Sequence, residues 1–321
     1  MSELTDAHYE AVVRGMVRSS VVPFLGAGAN MPGRPENTDW EPGCAFLPDG
    51  AELAKYLAIV FSYPEVEESK ELLRISQYVD VMTGSGPLYD ELHRLLDHNY
   101  RPNSLHKFLA QFPKTVRGHT DRPYQLIVTT NYDDALERAF REAGEEFDLV
   151  SYIADGEYRG RFRHFRPDGK HCVIERPNRY AGLPLDKRTV ILKIHGAVDR
   201  QDAELDSYVI TEDHYIDYLT RTDITNLIPA TIVARIRRSH FLFLGYSLRD
   251  WNLRVILHRI WGTQALTYKS WAIQLKSDPV EQQTWSRRGV EILYVQLEDY
   301  VAKLSHKLDE YLRSQDSIAS D

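Results

Sequence analysis

Six short runs of this 321-residue chain are almost wholly apolar: residues 20–26, 124–130, 189–195, 240–246, 270–276 and 290–297. None of them alternates apolar and polar positions. Each therefore predicts a strand covered on both faces, as in a parallel sheet. Apolar positions at helical spacing predict an opening helix over 3–18 and further helices over 132–143, 250–261, 279–288 and 298–313. Strand followed by helix, repeated, predicts an α/β fold with a doubly wound, Rossmann-like parallel sheet of about six strands. In such folds ligands sit at the carboxyl ends of the strands, so chemistry is expected directly after each run.

Two stretches leave this rhythm. Residues 31–123 hold a Pro/Gly-rich loop (31–50) and then helical patterns with no clear strand, which predicts a mostly helical insertion. Residues 147–188 mix short β-like pieces with turns and are expected to form an irregular β excursion on the rim. Residues 1–313 read as a single domain, and 314–321 ("SQDSIASD") as a disordered tail.

Composition narrows the class. Apolar residues make up 43%, enough for a substantial core. No run approaches the roughly eighteen apolar residues of a membrane helix, and the acidic, polar "MSELTDAHYE" does not resemble a secretory signal. A net charge of −8 argues against direct nucleic-acid binding. Cys44 and Cys172 are the only cysteines, so neither a disulfide framework nor a four-cysteine zinc module is expected. The expectation is a cytoplasmic protein without a metal.

Four strand ends carry candidate chemistry. The first reads Gly26-Ala27-Gly28-Ala29-Asn30. Glycines let a backbone approach a pyrophosphate, and free amides at a helix start attract it. Met31 stands where G-x-G-x-x-G would place its third glycine. The second runs from Thr129 to Asp134. Thr130, Asn131 or Asp133 suit a helix cap, and the Asn131 carboxamide equally suits hydroxyls or a water. In the third, His195 is followed by Gly196. A lone histidine is more often structural than catalytic, but one near its reference pKa at a strand end accepts a proton from a sugar hydroxyl at neutral pH. The fourth holds Gly245 and Ser247, suited to a phosphate or ribose, with helix capping by Ser247 or Asp250 as the alternative.

Taken together the four loops resemble the Sir2 (sirtuin) family, and more closely its bacterial NAD-cleaving branch from anti-phage defence. Gly26–Gly28 is similar to the family's "GAG" loop, Thr129–Asp133 to its "T-Q-N-x-D" with Thr130 in place of Gln, His195-Gly196 to its "H-G", and Gly245–Ser247 to its "G-x-S". "VITEDHY" (209–215) resembles the defence branch, and the resemblance spans roughly residues 15–300. The family's "G-I-P-D-F-R" and its cysteines are missing, which puts protein deacylation in doubt.

The resemblance implies NAD+ as substrate. It assigns catalysis to Asn131 and His195, and binding to Gly26, Ala27, Gly28, Asn30, Thr130, Asp133, Gly245 and Ser247. The implied products are nicotinamide and ADP-ribose, released by an NAD-depleting effector of abortive infection. It also implies a homo-oligomer and a regulatory protein partner encoded nearby: an ATPase, a short Argonaute or a nucleotide-sensing protein. Two alternatives stay open, a silent NAD or ADP-ribose sensor and a deacylase or ADP-ribosyltransferase. The basic stretch Arg159–Arg166 is expected to place Arg159, Arg161 and Arg163 on one strand face, as a solvated rim hairpin or a docking site.

Overall fold

Strand β1 (Val21–Leu25) is buried along its whole length. Val22 and Phe24 enter one core, while Val21 and Leu25 enter another. β9 (His240–Leu244) divides in the same way, with Phe241 and Phe243 on one face and Leu242 and Leu244 on the other. Both faces of these strands are covered, which is why their sequences do not alternate. The computed structural model describes residues 6–35, 38–65, 71–220, 228–246, 268–276 and 278–320. The helix expected over 250–261 lies outside them.

The other strands of the main sheet are β2 (Leu126–Thr129), β3 (Phe147–Tyr152), β4 (Phe162–Phe165), β5 (His171–Ile174), β6 (Thr189–Lys193), β10 (Ser270–Gln274) and β11 (Val290–Tyr294). They form a nine-stranded sheet in the order β11-β10-β9-β1-β2-β6-β3-β4-β5. Neighbours from β11 through β3 are parallel, and β4 and β5 are added antiparallel. A separate two-stranded ladder pairs β7 (Gly196–Ala197) with β8 (Ser207–Tyr208). The fold is thus the α/β, Rossmann-like one that the apolar runs predict.

The stretch 147–188 differs from its expectation. β3 is a full member of the parallel sheet, in register with β6. Asp148 interrupts its apolar run, but the carboxylate is buried and paired with His164 (2.7 Å) and Arg188 (2.8 Å). The basic stretch differs too. Gly156 and Gly160 take φ of 79° and 83° and turn the chain, so only Arg163 of the three arginines lies in β4. Arg159 pairs with Asp217, Arg161 donates to the Glu175 carbonyl, and Arg163 donates to the Leu205 carbonyl. They do not form one face.

Helices α1 (Asp6–Val17), α5 (Ser104–Val116), α6 (Ala135–Ala143) and α10 (Leu297–Ser320) cover one side of the sheet. Helix α8 (Ala230–Arg237) and Trp285 of α9 (Pro279–Ser286) cover the other. Helices α2 (Gly50–Val60), α3 (Leu72–Thr83) and α4 (Ser85–Leu96) build a third core, shared with Ala135, Val198, Tyr208 and Ile210. α5 therefore packs with the sheet layer, although it falls inside the stretch that looks like an insertion. The tail is helical rather than disordered as far as Ser320. Ser314 and Ser317 donate to the carbonyls three residues earlier, and Asp316 pairs with His119 at 2.9 Å. No helix among the described residues is long and apolar enough to cross a membrane.

Candidate functional site

Strand order reverses between β1 and β9: β2 lies on one side of β1, and β9 leads away on the other. Such a switch point opens a crevice at the carboxyl ends of the strands. Here the loops after β1 and β9 dock on each other. Gly26 donates its amide to the Leu244 carbonyl (3.1 Å), and Gly28 donates to the Gly245 carbonyl (2.8 Å). A Cβ on Gly28 would sit 2.8 Å from the Gly245 oxygen, and one on Gly245 would sit 2.0 Å from the Ala29 nitrogen. The glycines thus serve a loop-to-loop contact. This corrects the expectation of free amides, because those of Gly26 and Gly28 are spent on the β9 loop.

The loop after β2 is tied to the same place. The Thr130 amide donates to the Leu25 carbonyl (3.2 Å), and Asn131 Nδ2 donates to the Gly26 carbonyl (3.0 Å). Asn30 Nδ2 donates to Asp133 Oδ2 (2.9 Å), while Asp133 Oδ1 accepts from the Ala135 amide (3.0 Å). Of the capping alternatives only Asp133 reaches an early amide of α6; Asn131 does not cap it. α6 begins at Ala135 rather than 132 because the preceding carbonyls are engaged elsewhere. Lys193, buried at the end of β6, donates to the carbonyls of Tyr132 and Asp133 and pairs with Glu137 at 2.7 Å. Burial pushes the Glu137 carboxyl up, and the Lys193 ammonium opposes it.

His195 follows Lys193 by two residues and is only 3% exposed. Burial pushes its imidazole down to about 3. The ring is therefore neutral at physiological pH, which corrects the expectation of a histidine near its reference value. Its Nδ1 lies 3.4 Å from the Tyr215 hydroxyl, and the two rings meet edge to face at 5.3 Å.

These groups line one cleft of about 1110 Å³. Gly26, Ala27, Gly28, Asn30, Thr130, Asn131, Asp133, His195 and Gly245 all contribute to its wall. The structure thus brings together every expected site residue except Ser247, which lies outside the described residues. The volume is slightly above the roughly 300–1,000 Å³ of ordinary small-molecule sites. Arg34 and Glu52 close one flank as a two-point ion pair. Burial alone would raise the Glu52 carboxyl, but bonds from Arg34 and from the amides of Asp49 and Trp40 hold it at about 2. Asn103 anchors the glycine loop from behind, capping α5 and donating to the Ala29 carbonyl at 2.8 Å.

Sequence reasoning passes over Lys193 and Tyr215. A lysine inside an otherwise apolar strand is the signal for the first. Tyr215 lies within "VITEDHY", but nothing in its spacing points to His195.

Among the described residues, no group of three His, Cys, Asp or Glu side chains is placed to hold a metal ion. Over 254 residues the chain is 26% identical to "NAD(+) hydrolase ThsA" of Acinetobacter baumannii (strain 532279), covering 78% of this chain and 41% of that protein. Over 261 residues it is 24% identical to "Defense-associated sirtuin 2" of Bacillus subtilis, covering 78% and 22%. The chain thus spans less than half the length of either relative. A solved "Sir2 homolog-NAD complex" overlaps 94% of both chains at 14% identity, with a TM-score of 0.40. The SIR2-like domain family matches residues 125–293, a span that includes Asn131, His195 and Gly245. Since that match takes in more than half of the chain, this protein belongs to the SIR2-like domain family.

Proposed function

We propose that the protein is an NAD+ hydrolase that breaks the bond between nicotinamide and ribose, giving nicotinamide and ADP-ribose. The carrying observation is that four strand-end loops, with Asn131 and His195 among their residues, line one cleft. The names of the two relatives support the same reading and its setting in anti-phage defence.

Nicotinamide leaves as a neutral base, so cleavage needs no strong acid; it needs stabilisation of a cationic, oxocarbenium-like ribose. A neutral imidazole is the form that accepts a hydrogen bond from a ribose hydroxyl, and burial holds His195 in that form. Asn131 orients the ribose or the attacking water with whatever capacity its bond to Gly26 leaves over. Gly26, Ala27, Gly28, Asn30, Thr130, Asp133, Gly245 and Ser247 form the surrounding wall. Control by a separate partner or by self-assembly completes the proposal, since continuous NAD+ cleavage would exhaust the cell.

The test is incubation of the purified chain with NAD+, alone and with the product of its neighbouring gene, with nicotinamide and ADP-ribose measured by chromatography. His195→Ala should lower turnover by about 10²–10⁴-fold while the circular dichroism spectrum stays native. Near-normal turnover in that folded variant would remove His195 from the chemistry. Absence of both products under every condition would remove the hydrolase reading.

A further inference from the structure

We propose that Tyr215 is the positioning residue of His195, accepting a hydrogen bond from Nδ1–H so that Nε2 is left as the acceptor. A neutral imidazole carries one proton, and the partner of one nitrogen decides which nitrogen keeps it. The Tyr215 hydroxyl is 3.4 Å from Nδ1, and its ring packs at 84° to the imidazole, limiting rotation about the Cβ–Cγ bond. If Nδ1 donates to the tyrosine oxygen, Nε2 presents a lone pair. If the protons were reversed, Nε2 would be a donor and could take nothing from a ribose hydroxyl. The contact itself is compatible with either direction, since a tyrosine hydroxyl donates as well as accepts; the direction proposed here rests on the NAD-cleaving reading, the contact does not.

The segment carrying Tyr215 is braced. Its Val209 amide donates to the carbonyl of His195 itself (2.8 Å), so one stretch of chain holds both the backbone and the ring. Tyr215 lies in α7 (Glu212–Thr220), whose neighbouring residues are gripped by the α2–α4 layer. Gln77 of α3 exchanges two bonds with Asp213, one to the carboxylate and one from the amide, both 3.0 Å. His214 pairs with Asp155 at 3.0 Å, and Tyr89 of α4 donates to the same carboxylate oxygen. His93 of α4 holds Asp206 at 2.8 Å, at the start of the segment.

The decisive experiment compares the full chain with Tyr215→Phe, which keeps the ring and removes only the hydroxyl. Long-range ¹⁵N–¹H spectra of histidine-labelled protein, with the His195 signals identified by their loss in His195→Gln, read the tautomer directly. The expected result is an Nδ1–H tautomer in the parent that changes in Tyr215→Phe. An Nε2–H tautomer in the parent, or identical His195 signals in both proteins, overturns the proposal, and does so whether or not NAD+ is cleaved. Where cleavage is observed, kcat should fall about 10–100-fold, less than for loss of the base itself, with KM and the melting temperature little changed. Unchanged kcat, or a fall that only follows lost stability, also overturns it. Absence of cleavage in the parent would instead count against the hydrolase reading alone.

Discussion

Asn131 separates two roles that a polar residue at a strand end can play. Its carboxamide nitrogen donates to the Gly26 carbonyl and takes no part in starting α6. Replacing it with alanine removes one hydrogen bond, a net loss of about 0.5–1.5 kcal/mol. The proposed role predicts a much larger effect on rate. Asn131→Ala should lower NAD+ turnover by about 10²–10³-fold, the scale for losing one preorganised polar group at a reacting centre, while calorimetric NAD+ affinity stays near that of the parent. A melting temperature that drops while the remaining folded protein turns over normally would make Asn131 a structural tie between two loops and nothing more.

At the scale of elements, the glycine contact between the β1 and β9 loops makes a prediction that one loop alone would not. Gly33 and Gly245 both take positive φ, 79° and 66°. A Cβ on Gly33 meets nothing within 4 Å, whereas one on Gly245 meets the backbone of Gly28 and Ala29. Gly33→Ala should therefore cost about 1–2 kcal/mol of backbone strain. Gly245→Ala should cost well beyond that, because backbone cannot swing aside as a side chain can. Denaturant midpoints of the two variants give the comparison, and equal values would mean that the loops separate easily.

The same contact shows where sequence reading ends. The strands with unbroken apolar runs are legible, because burial on both faces leaves a direct mark on composition. β3 is hidden by Asp148, whose charge is matched by His164 and Arg188. α5 carries a good amphipathic pattern, but the layer it joins depends on contacts and not on its own residues. The site residues are legible as strand-end loops. That Gly28 touches Gly245, or that Tyr215 reaches His195, is written only in three dimensions.

For the whole molecule, the half-buried His8 and the buried His106 and His195 contribute to the response to acid. Burial pushes His8 and His106 to about 4 and His195 to about 3. In the unfolded chain each would take a proton near 6.5. Between these values the unfolded state binds more protons, so stability is complete above about pH 6.5 and is lost as pH falls toward 3. Glu52, held at about 2 from an ordinary 4.5, adds to the loss at the acid end. Unfolding free energies measured from pH 7 to pH 4 should fall steadily, by up to about 3 kcal/mol for each histidine. A flat profile would mean that these histidines protonate freely in the folded protein.

The central strand has a consequence for the order of synthesis. Phe24 of β1 lies opposite Val128 of β2 on one side and Phe243 of β9 on the other. Partners this distant in the chain make folding slow, since the loops must close before the contacts repay them. A ribosome making this protein releases the glycine loop well before the backbone that Gly28 docks against, which arrives only with Gly245. Between those two points the nascent chain holds an incomplete cleft, and the proposed cleavage of NAD+ can begin only once the later strands have emerged.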